Sequence, residues 1–205
     1  YILRKYLHND ETALSADNQR LMADEGAIHC LVSLLDSSSE LVQRQSAKAL
    51  ANLGVNSDNK PRIAAAGSIP KLVMLAGEGS VAVRIEAIAA LANLAVNDNN
   101  EVEIVRCGGL EPIVSSTVLA AEGLEAAEAS SPYPGAPPIS SSSSSGGGGG
   151  GGGGDSGAKE LQQLEELATQ CARALRNLSV NQSNKESISS LGAVRHLLTL
   201  MNYPN

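Results

Sequence analysis

The sequence contains the stretch Ala49-Leu50-Ala51-Asn52-Leu53, and nearly the same five residues return twice further along the chain. The copies are Ala90-Leu91-Ala92-Asn93-Leu94 and Ala174-Leu175-Arg176-Asn177-Leu178. The first step is 41 residues and the second is 84, which is one period of 41 with 43 further residues inserted. A fixed period of this length indicates a repeat protein, in which each unit is one small group of packed elements.

Further positions keep the same period and extend the repeat beyond these five residues. Two sets of asparagines and one set of glycines recur in register: Asn56, Asn97 and Asn181; Asn18, Asn59, Asn100 and Asn184; Gly26, Gly67, Gly108 and Gly192. Each glycine follows a short predicted helix, so we predict that it ends this first helix in the left-handed conformation. One apolar residue of each such helix is predicted to be buried: Met22, Ile63, Ile104 or Ile188. The predicted N-caps of the first helices are Asp17, Asp58 and Ser183.

Each unit also predicts a second and a third helix. The second helix is marked by apolar residues at helical spacing, such as Ile28, Leu31 and Val32. The third helix is the longest and is predicted at Glu40–Leu53, Val81–Leu94 and Glu165–Leu178. One unit cannot bury both sides of such helices, so the units must stack on one another. The predicted fold is therefore all-α, a solenoid of three-helix repeats with a period of 41 residues.

The inserted residues lie between Ser116 and Ala158, in the connection from a second helix to a third. They include a proline-rich stretch and runs of serine and glycine: Pro132–Pro138, Ser140–Ser145 and Gly146–Gly154. A segment with so little apolar surface is predicted to be disordered. It carries a PxxP motif from Pro134 to Pro137, but a spacer role is the preferred interpretation.

These patterns divide the chain into three parts. Residues 1–118 are predicted to be solenoid repeats, 119–158 a disordered low-complexity insertion within one repeat, and 159–205 the continuation of the solenoid. The first unit, Tyr1–Leu14, departs from the repeat pattern, and the last one stops at Tyr203-Pro204-Asn205 without a third helix. The chain also starts at Tyr1 rather than Met, so we expect a fragment of a longer array.

Composition argues against several classes of function. Aromatic residues make up 2% of the chain, and the formal net charge is −7. Nucleic-acid binding needs a basic surface, often with aromatic platforms, so we expect no nucleic-acid partner. Three cysteines far apart in sequence fit neither a disulfide framework nor a zinc site and favour an intracellular, most simply cytoplasmic, location. There is no run of 18 apolar residues to predict a membrane span.

No motif in the chain makes a convincing catalytic or cofactor site. Gly154-Asp155-Ser156-Gly157 resembles a serine-protease motif, but it lies in the predicted disordered segment without a paired His and Asp. Gly157-Ala158-Lys159-Glu160 lacks the Gly-Lys-Ser/Thr ending of a phosphate loop. The histidines His8, His29 and His196 are isolated from one another in the repeat register. We therefore predict a protein that is not an enzyme, with no catalytic residues, metal or cofactor.

The units resemble armadillo repeats. The resemblance rests on three helices per unit, the 41-residue period, the Gly-Ala/Ser-Ile pattern at the second helix and Ala-Leu-Ala/Arg-Asn-Leu on the third. It covers residues 15–118 and 159–201. The stretch Ala174–Asn181 is similar to plant armadillo proteins and to the fungal vacuolar armadillo protein. The resemblance implies a right-handed solenoid whose third helices line a concave groove that binds extended peptide segments.

The same resemblance implies a set of groove residues. Three columns on the third helices form the predicted partner-binding surface: Asn52, Asn93 and Asn177; Lys48 and Arg173; Gln45, Glu86 and Gln170. The asparagines would bond the backbone of a partner, although they could instead bond carbonyls of the adjacent repeat. The position one helical turn before each asparagine is Lys48, Ala89 or Arg173 rather than the tryptophan of nuclear-import armadillo proteins. An acidic or backbone-dominated partner is therefore expected, not a nuclear-localisation signal.

The predicted function is that of a non-catalytic scaffold or adaptor that binds extended segments of other proteins along this groove. No small-molecule substrate is expected, and contact with a membrane would be indirect. The expected location is the cytoplasm, with a vacuolar or other endomembrane surface and the nucleus as alternatives. One alternative is the substrate-binding or regulatory arm of a larger enzyme, for example a ubiquitin ligase, whose catalytic domain lies outside this chain. A passive spacer is a third possibility.

Overall fold

A computed structural model describes residues 16–130 and 154–202. Every regular element in these two ranges is an α-helix. The atypical first unit Tyr1–Leu14, the PxxP motif from Pro134 to Pro137, and the end at Tyr203-Pro204-Asn205 lie outside the described residues. The low-complexity centre of the insertion, residues 131–153, lies outside them as well.

The described helices follow the predicted order of repeats. Repeat 1 contains α1 (Ala16–Asp24), α2 (Ala27–Leu34) and α3 (Glu40–Leu53), and repeat 2 contains α4 (Asn59–Ala65), α5 (Ser68–Glu78) and α6 (Val81–Leu94). Repeat 3 contains α7 (Asp98–Arg106), α8 (Leu110–Ala129) and α9 (Gly154–Leu178), and repeat 4 begins with α10 (Gln182–Ser190) and α11 (Ala193–Asn202). The prediction of an all-α solenoid of three-helix units is confirmed.

The turn between the first and second helix of each repeat is made by a glycine. Gly26, Gly67, Gly108 and Gly192 have φ angles of 83°, 79°, 78° and 82°. A side chain with a Cβ is strained in this left-handed region, whereas glycine adopts it readily. The prediction that these four glycines end the first helices is confirmed, and it explains why glycine recurs with the period of the repeat.

The predicted N-caps need correction. Asp17 lies inside α1, and Asp58 precedes α4 but makes no capping bond with its side chain. Ser183 lies inside α10. In repeats 3 and 4 the capping bonds come instead from the asparagine immediately before the first helix. Asn97 Oδ1 accepts from the Asn100 amide at 3.2 Å, and Asn181 Oδ1 accepts from the Ser183 amide at 3.1 Å. An asparagine caps as well as a serine or aspartate, so residue type alone did not identify the cap.

The core is a continuous stack of aliphatic side chains that runs through all four repeats. The third helices α3, α6 and α9 pack side by side, and α8 packs along α9. Fully buried leucines recur at Leu53, Leu94 and Leu178, each at most 1% exposed. Small alanines between them, including Ala87 and Ala174 at 0% exposure, let the helices approach closely.

Polar contacts between neighbouring repeats also recur with the period. Asn59 Nδ2 donates to Gln19 O at 3.1 Å, and Asn100 Nδ2 donates to Lys60 O at the same distance. In the third junction, Asn184 Nδ2 donates to Glu101 Oε1 at 2.8 Å. These buried amides tie the first helix of each repeat to the repeat before it, so the asparagines of this set are part of the scaffold.

The predicted boundaries of the insertion are corrected at both ends. Residues 119–129 continue α8 as helix, and Ala120, Ala121 and Leu124 are buried there. On the far side α9 begins at Gly154, well before the predicted Glu165. Alanine, leucine and glutamate favour helix, and an apolar partner surface is available on the neighbouring helix, so both helices continue past the length of one repeat.

Candidate functional site

The third helices α3, α6 and α9 together form a groove with a half-open cavity of about 520 Å³. Side chains from all three helices line this cavity, which we call the groove cavity: Arg44 and Lys48 from α3; Ala82, Ile85, Glu86 and Ala89 from α6; Lys159, Gln162, Gln163, Glu166 and Gln170 from α9. The α6 side of the cavity is apolar apart from Glu86, and the walls formed by α3 and α9 are polar. Such a surface suits an extended polar segment better than a compact apolar ligand.

The structure brings together three of the predicted groove residues. Lys48, Glu86 and Gln170 all line the groove cavity. The other five predicted residues, Gln45, Asn52, Asn93, Arg173 and Asn177, are not part of its lining. Among these, Asn52 is exposed on α3, and Gln45 is half-buried on the same helix.

Asn93 and Asn177 bond the neighbouring repeat. Asn93 Nδ2 donates to Ala51 O at 2.8 Å, and Asn177 Nδ2 donates to Ala92 O at 2.8 Å. Each amide therefore satisfies a carbonyl near the C-terminal end of the preceding third helix, where the helix itself supplies no donor. The sequence left two roles open for these asparagines, a bond to the backbone of a partner or a bond to the adjacent repeat. The structure shows the bond to the adjacent repeat.

These bonds lead to a prediction for stability. We expect Asn177→Ala to lower the free energy of unfolding by about 1–3 kcal/mol, because the carbonyl of the buried Ala92 loses its donor. Asn99 is exposed in the first turn of α7, and Asn99→Ala serves as the matched control with a change within about 0.5 kcal/mol. Urea unfolding followed by circular dichroism measures both. Equal values for the two variants would show that the inter-repeat bond does not contribute.

Arg173 is held by a chain of hydrogen bonds across two helices. Its Nη2 donates to Asn93 Oδ1 at 2.8 Å, and its Nη1 donates to Gln170 Oε1 at 2.5 Å. Gln170 Nε2 in turn donates to Glu166 Oε1 at 2.5 Å. The guanidinium remains exposed, but its donors already serve α6 and α9. Arg173 therefore positions the groove wall, and Lys48 is the predicted cation that faces the cavity.

Glu86 is the most buried ionisable group in the cavity lining, with a side chain 14% exposed. Its Oε1 lies 3.8 Å from Arg44 Nε, an ion-pair distance that is too long for a hydrogen bond. Burial raises the pKa of the Glu86 carboxyl above its ordinary value of 4.5, and the nearby Glu166 carboxylate raises it further. Lys48 and Arg44 oppose this change without overcoming it. Loss of water around the carboxylate is the largest cause of this rise.

This shift predicts a pH-dependent difference between the wild type and Glu86→Gln. A carboxyl whose folded-state pKa is raised stabilises the fold fully below its unfolded pKa and loses that contribution as the pH rises through the folded pKa. We therefore expect Glu86→Gln to gain stability relative to the wild type between about pH 4 and pH 7. Urea midpoints at both pH values test this, with the exposed Glu111→Gln as control. A relative loss over this range would contradict the direction of the shift.

Sequence reasoning missed Arg44 and the residues that precede Glu166 on α9. Arg44 lies four residues before Lys48, next to the predicted Gln45, so taking the i−4 position as well as the i−3 position on α3 identifies it. Lys159, Gln162, Gln163 and Glu166 were missed for a different reason: the third helix was assumed to keep the length found in the other repeats. The helix-favouring composition of residues 159–165 was a signal for the longer helix.

Other kinds of site find little support in the described part of the chain. Within it, no group of three or more His, Cys, Asp or Glu side chains is arranged to hold a metal ion. Across residues 16–130 and 154–202, no helix taken alone is long and apolar enough to cross a membrane. The helices α7 and α8 meet that criterion only as a pair, with a bend of 82° between them.

Comparison with known proteins agrees with this geometry. The family model described as armadillo/β-catenin-like repeat matches residues 15–55 and 56–96, which correspond to repeats 1 and 2. No curated protein sequence matches the chain significantly.

Several solved structures share the fold. An engineered protein has a TM-score of 0.65 at 24% identity, over 98% of this chain and 43% of its own length. A second engineered protein has a TM-score of 0.55 at 25% identity, over 94% of this chain and 79% of its own. A designed armadillo repeat protein in complex with the peptide (KR)4 has a TM-score of 0.56 at 22% identity, over 99% of this chain and 85% of its own. The chain thus has the fold of an armadillo-repeat solenoid, and its first two described repeats match the armadillo family model.

Proposed function

We propose that this chain is a non-catalytic scaffold or adaptor that binds extended segments of partner proteins along the groove formed by α3, α6 and α9. The observation that carries the proposal is the groove cavity, where polar side chains from three successive repeats face one open channel. A rigid array of this kind presents regularly spaced donors and acceptors, which match the repeating groups of an extended backbone. A designed protein of the same fold is in complex with a peptide, which supports this kind of partner.

The side chains of the groove favour a polar partner. Lys48 is exposed on one wall, while Gln162 and Gln163 are exposed on the other. Amide side chains donate and accept together, so they suit the peptide groups of a partner, and the cation suits an acidic side chain. The intracellular, cytoplasmic location predicted from the cysteine pattern stays a prediction.

Selection of displayed peptides tests the proposal. A library of random, unconstrained peptides is selected on the full chain, and the affinity of the enriched peptides is then measured for the wild type and for Lys48→Glu. We expect the charge reversal to weaken binding about tenfold or more, because an interfacial attraction becomes a repulsion. Lys185→Glu is the matched control, since Lys185 is exposed on α10 outside the groove.

The possible outcomes separate the groove from other surfaces. Peptides that lose affinity for Lys48→Glu and keep it for Lys185→Glu support the groove. Peptides that bind both variants as they bind the wild type place the interaction elsewhere and overturn the proposal. Failure to enrich any peptide would favour the passive spacer. Circular dichroism spectra of the variants must match the wild type before affinities are compared.

A further inference from the structure

The two ends of the insertion build a helical hairpin on repeat 3. The helix α9 has 25 residues, whereas α3 and α6 have 14 each, and the additional residues precede Glu165. On the other side of the insertion α8 continues to Ala129. The two extensions are closely packed, because a Cβ added to Gly123 would lie 2.7 Å from Leu164 Cδ1. The insertion therefore extends the folded body of the protein at both of its ends.

This hairpin supplies one wall of the groove cavity. Four residues follow the helical spacing i, i+3, i+4 and i+7 and therefore share one face of α9: Lys159, Gln162, Gln163 and Glu166. All four line the cavity. Three of them precede Glu166 and would be absent from the cavity if α9 had the length of α3 or α6. Repeat 3 thus has a groove wall that repeats 1 and 2 do not have.

The opposite wall holds a buried donor without an acceptor. Arg44 Nε is buried and has no hydrogen-bond partner, since the Glu86 carboxylate is 3.8 Å away. Lys48 lies one turn further along α3 on the same wall. These two cations share the single carboxylate of Glu86, while the Glu166 carboxylate accepts from Gln170 on the α9 wall. A second carboxylate placed between Arg44 and Lys48 would supply the missing acceptor in a charge-assisted hydrogen bond.

We propose that the groove cavity is a subsite for an acidic side chain, Asp or Glu, of the extended partner segment. The carboxylate accepts from Arg44 Nε and pairs with Lys48, while Gln162 and Gln163 on the α9 wall bond the backbone of the same segment. The inference rests on the proposed function, because it assigns one residue of the segment that the groove binds.

A double-mutant cycle tests the subsite. The tightest peptide from the display selection is changed at each Asp to Asn and at each Glu to Gln, and every version is measured against the wild type and Arg44→Gln. We expect one carboxylate whose loss weakens binding about tenfold, and we expect Arg44→Gln to weaken binding by a similar factor. The two changes together should weaken binding by much less than the product of the two factors, because they remove one interaction.

Further variants control for folding and test the α9 wall. Arg195→Gln, an exposed change on α11, should leave the affinity unaltered. If Arg44→Gln is poorly folded, Arg44→Lys keeps the charge and should show an intermediate loss, since it lacks the Nε donor. The double variant Gln162→Ala and Gln163→Ala should weaken every groove peptide severalfold, whether or not the carboxylate is present.

The results distinguish failure of the subsite from failure of the groove. If the affinity losses of the two changes multiply independently, or if the enriched peptides contain no carboxylate, the subsite is overturned. Sensitivity of the same peptides to Lys48→Glu would still support the groove. Enriched peptides that carry lysine or arginine and weaken with Glu86→Gln show that the cavity takes a cation, which also overturns the subsite. Peptides insensitive to all third-helix variants overturn the proposed function and the subsite together.

Discussion

Replacement of Leu91 by alanine is expected to lower the free energy of unfolding by about 2–5 kcal/mol. Leu91 is 0% exposed in the last turn of α6, which packs against α3 on one side and α9 on the other. Truncation removes apolar contacts and leaves a cavity that tightly packed neighbours cannot fill. Each repeat of a solenoid contacts only its neighbours, so damage at a central repeat weakens two interfaces at once.

Urea unfolding monitored by circular dichroism measures this loss. The matched control is Val96→Ala, because Val96 is 62% exposed just after the same helix and should change stability by no more than about 0.5 kcal/mol. Stability of a domain of this size is typically about 5–15 kcal/mol, so the expected loss is a large fraction of the whole. A loss below about 1 kcal/mol would mean that α6 is not the central buried helix of the array.

Cys171 is expected to resist alkylation in the folded chain. Its side chain is 0% exposed on α9, and burial raises the pKa of the thiol from 9.0 to about 12. Only the thiolate reacts, so this shift alone lowers the reactive fraction about a thousandfold near neutral pH. Cys30 is exposed on α2 and provides an internal comparison within the same molecule.

Labelling with iodoacetamide, followed by mass spectrometry of each cysteine peptide, gives the two rates. We expect Cys30 to be modified promptly and Cys171 to be modified only as the chain unfolds, whereas in denaturant both react readily. The experiment also tests how repeat 3 is assembled, because Cys171 is covered by α8 and α6 only when α9 docks after the insertion. Similar rates for the two cysteines in the folded chain would contradict that docking.

The segments on both sides of the low-complexity centre of the insertion are folded, although the composition of the insertion predicts disorder. Proline, serine and glycine runs predict a segment outside the folded body, yet residues 119–129 and 154–164 are helical. Within the second range, Lys159, Gln162 and Gln163 line the groove cavity. Helical propensity in these flanks was readable from the sequence. The length over which α8 and α9 pack against each other could not be predicted from the sequence, because it depends on the close approach of the two helices at Gly123.

The positions that repeat along the chain were determined by the sequence itself. Gly67 and its equivalents end the first helices because only glycine adopts a positive φ without strain, and Leu53 and its equivalents are buried because a helical stripe of leucine must leave water. Both effects act within one repeat or between two neighbouring repeats. The same residue types therefore recur every 41 residues, and this recurrence identifies them in the sequence.

The roles of the polar groove residues were decided only by the tertiary structure. Asn93 and Asn177 stand at the border between the open groove and the preceding helix, and an amide there can bond either side. The separation of neighbouring third helices places Ala51 O and Ala92 O within 2.8 Å of them, which settles the contact. Arg44 and Glu86 likewise come from different repeats. Their distance depends on how two helices pack, which a sequence period leaves open.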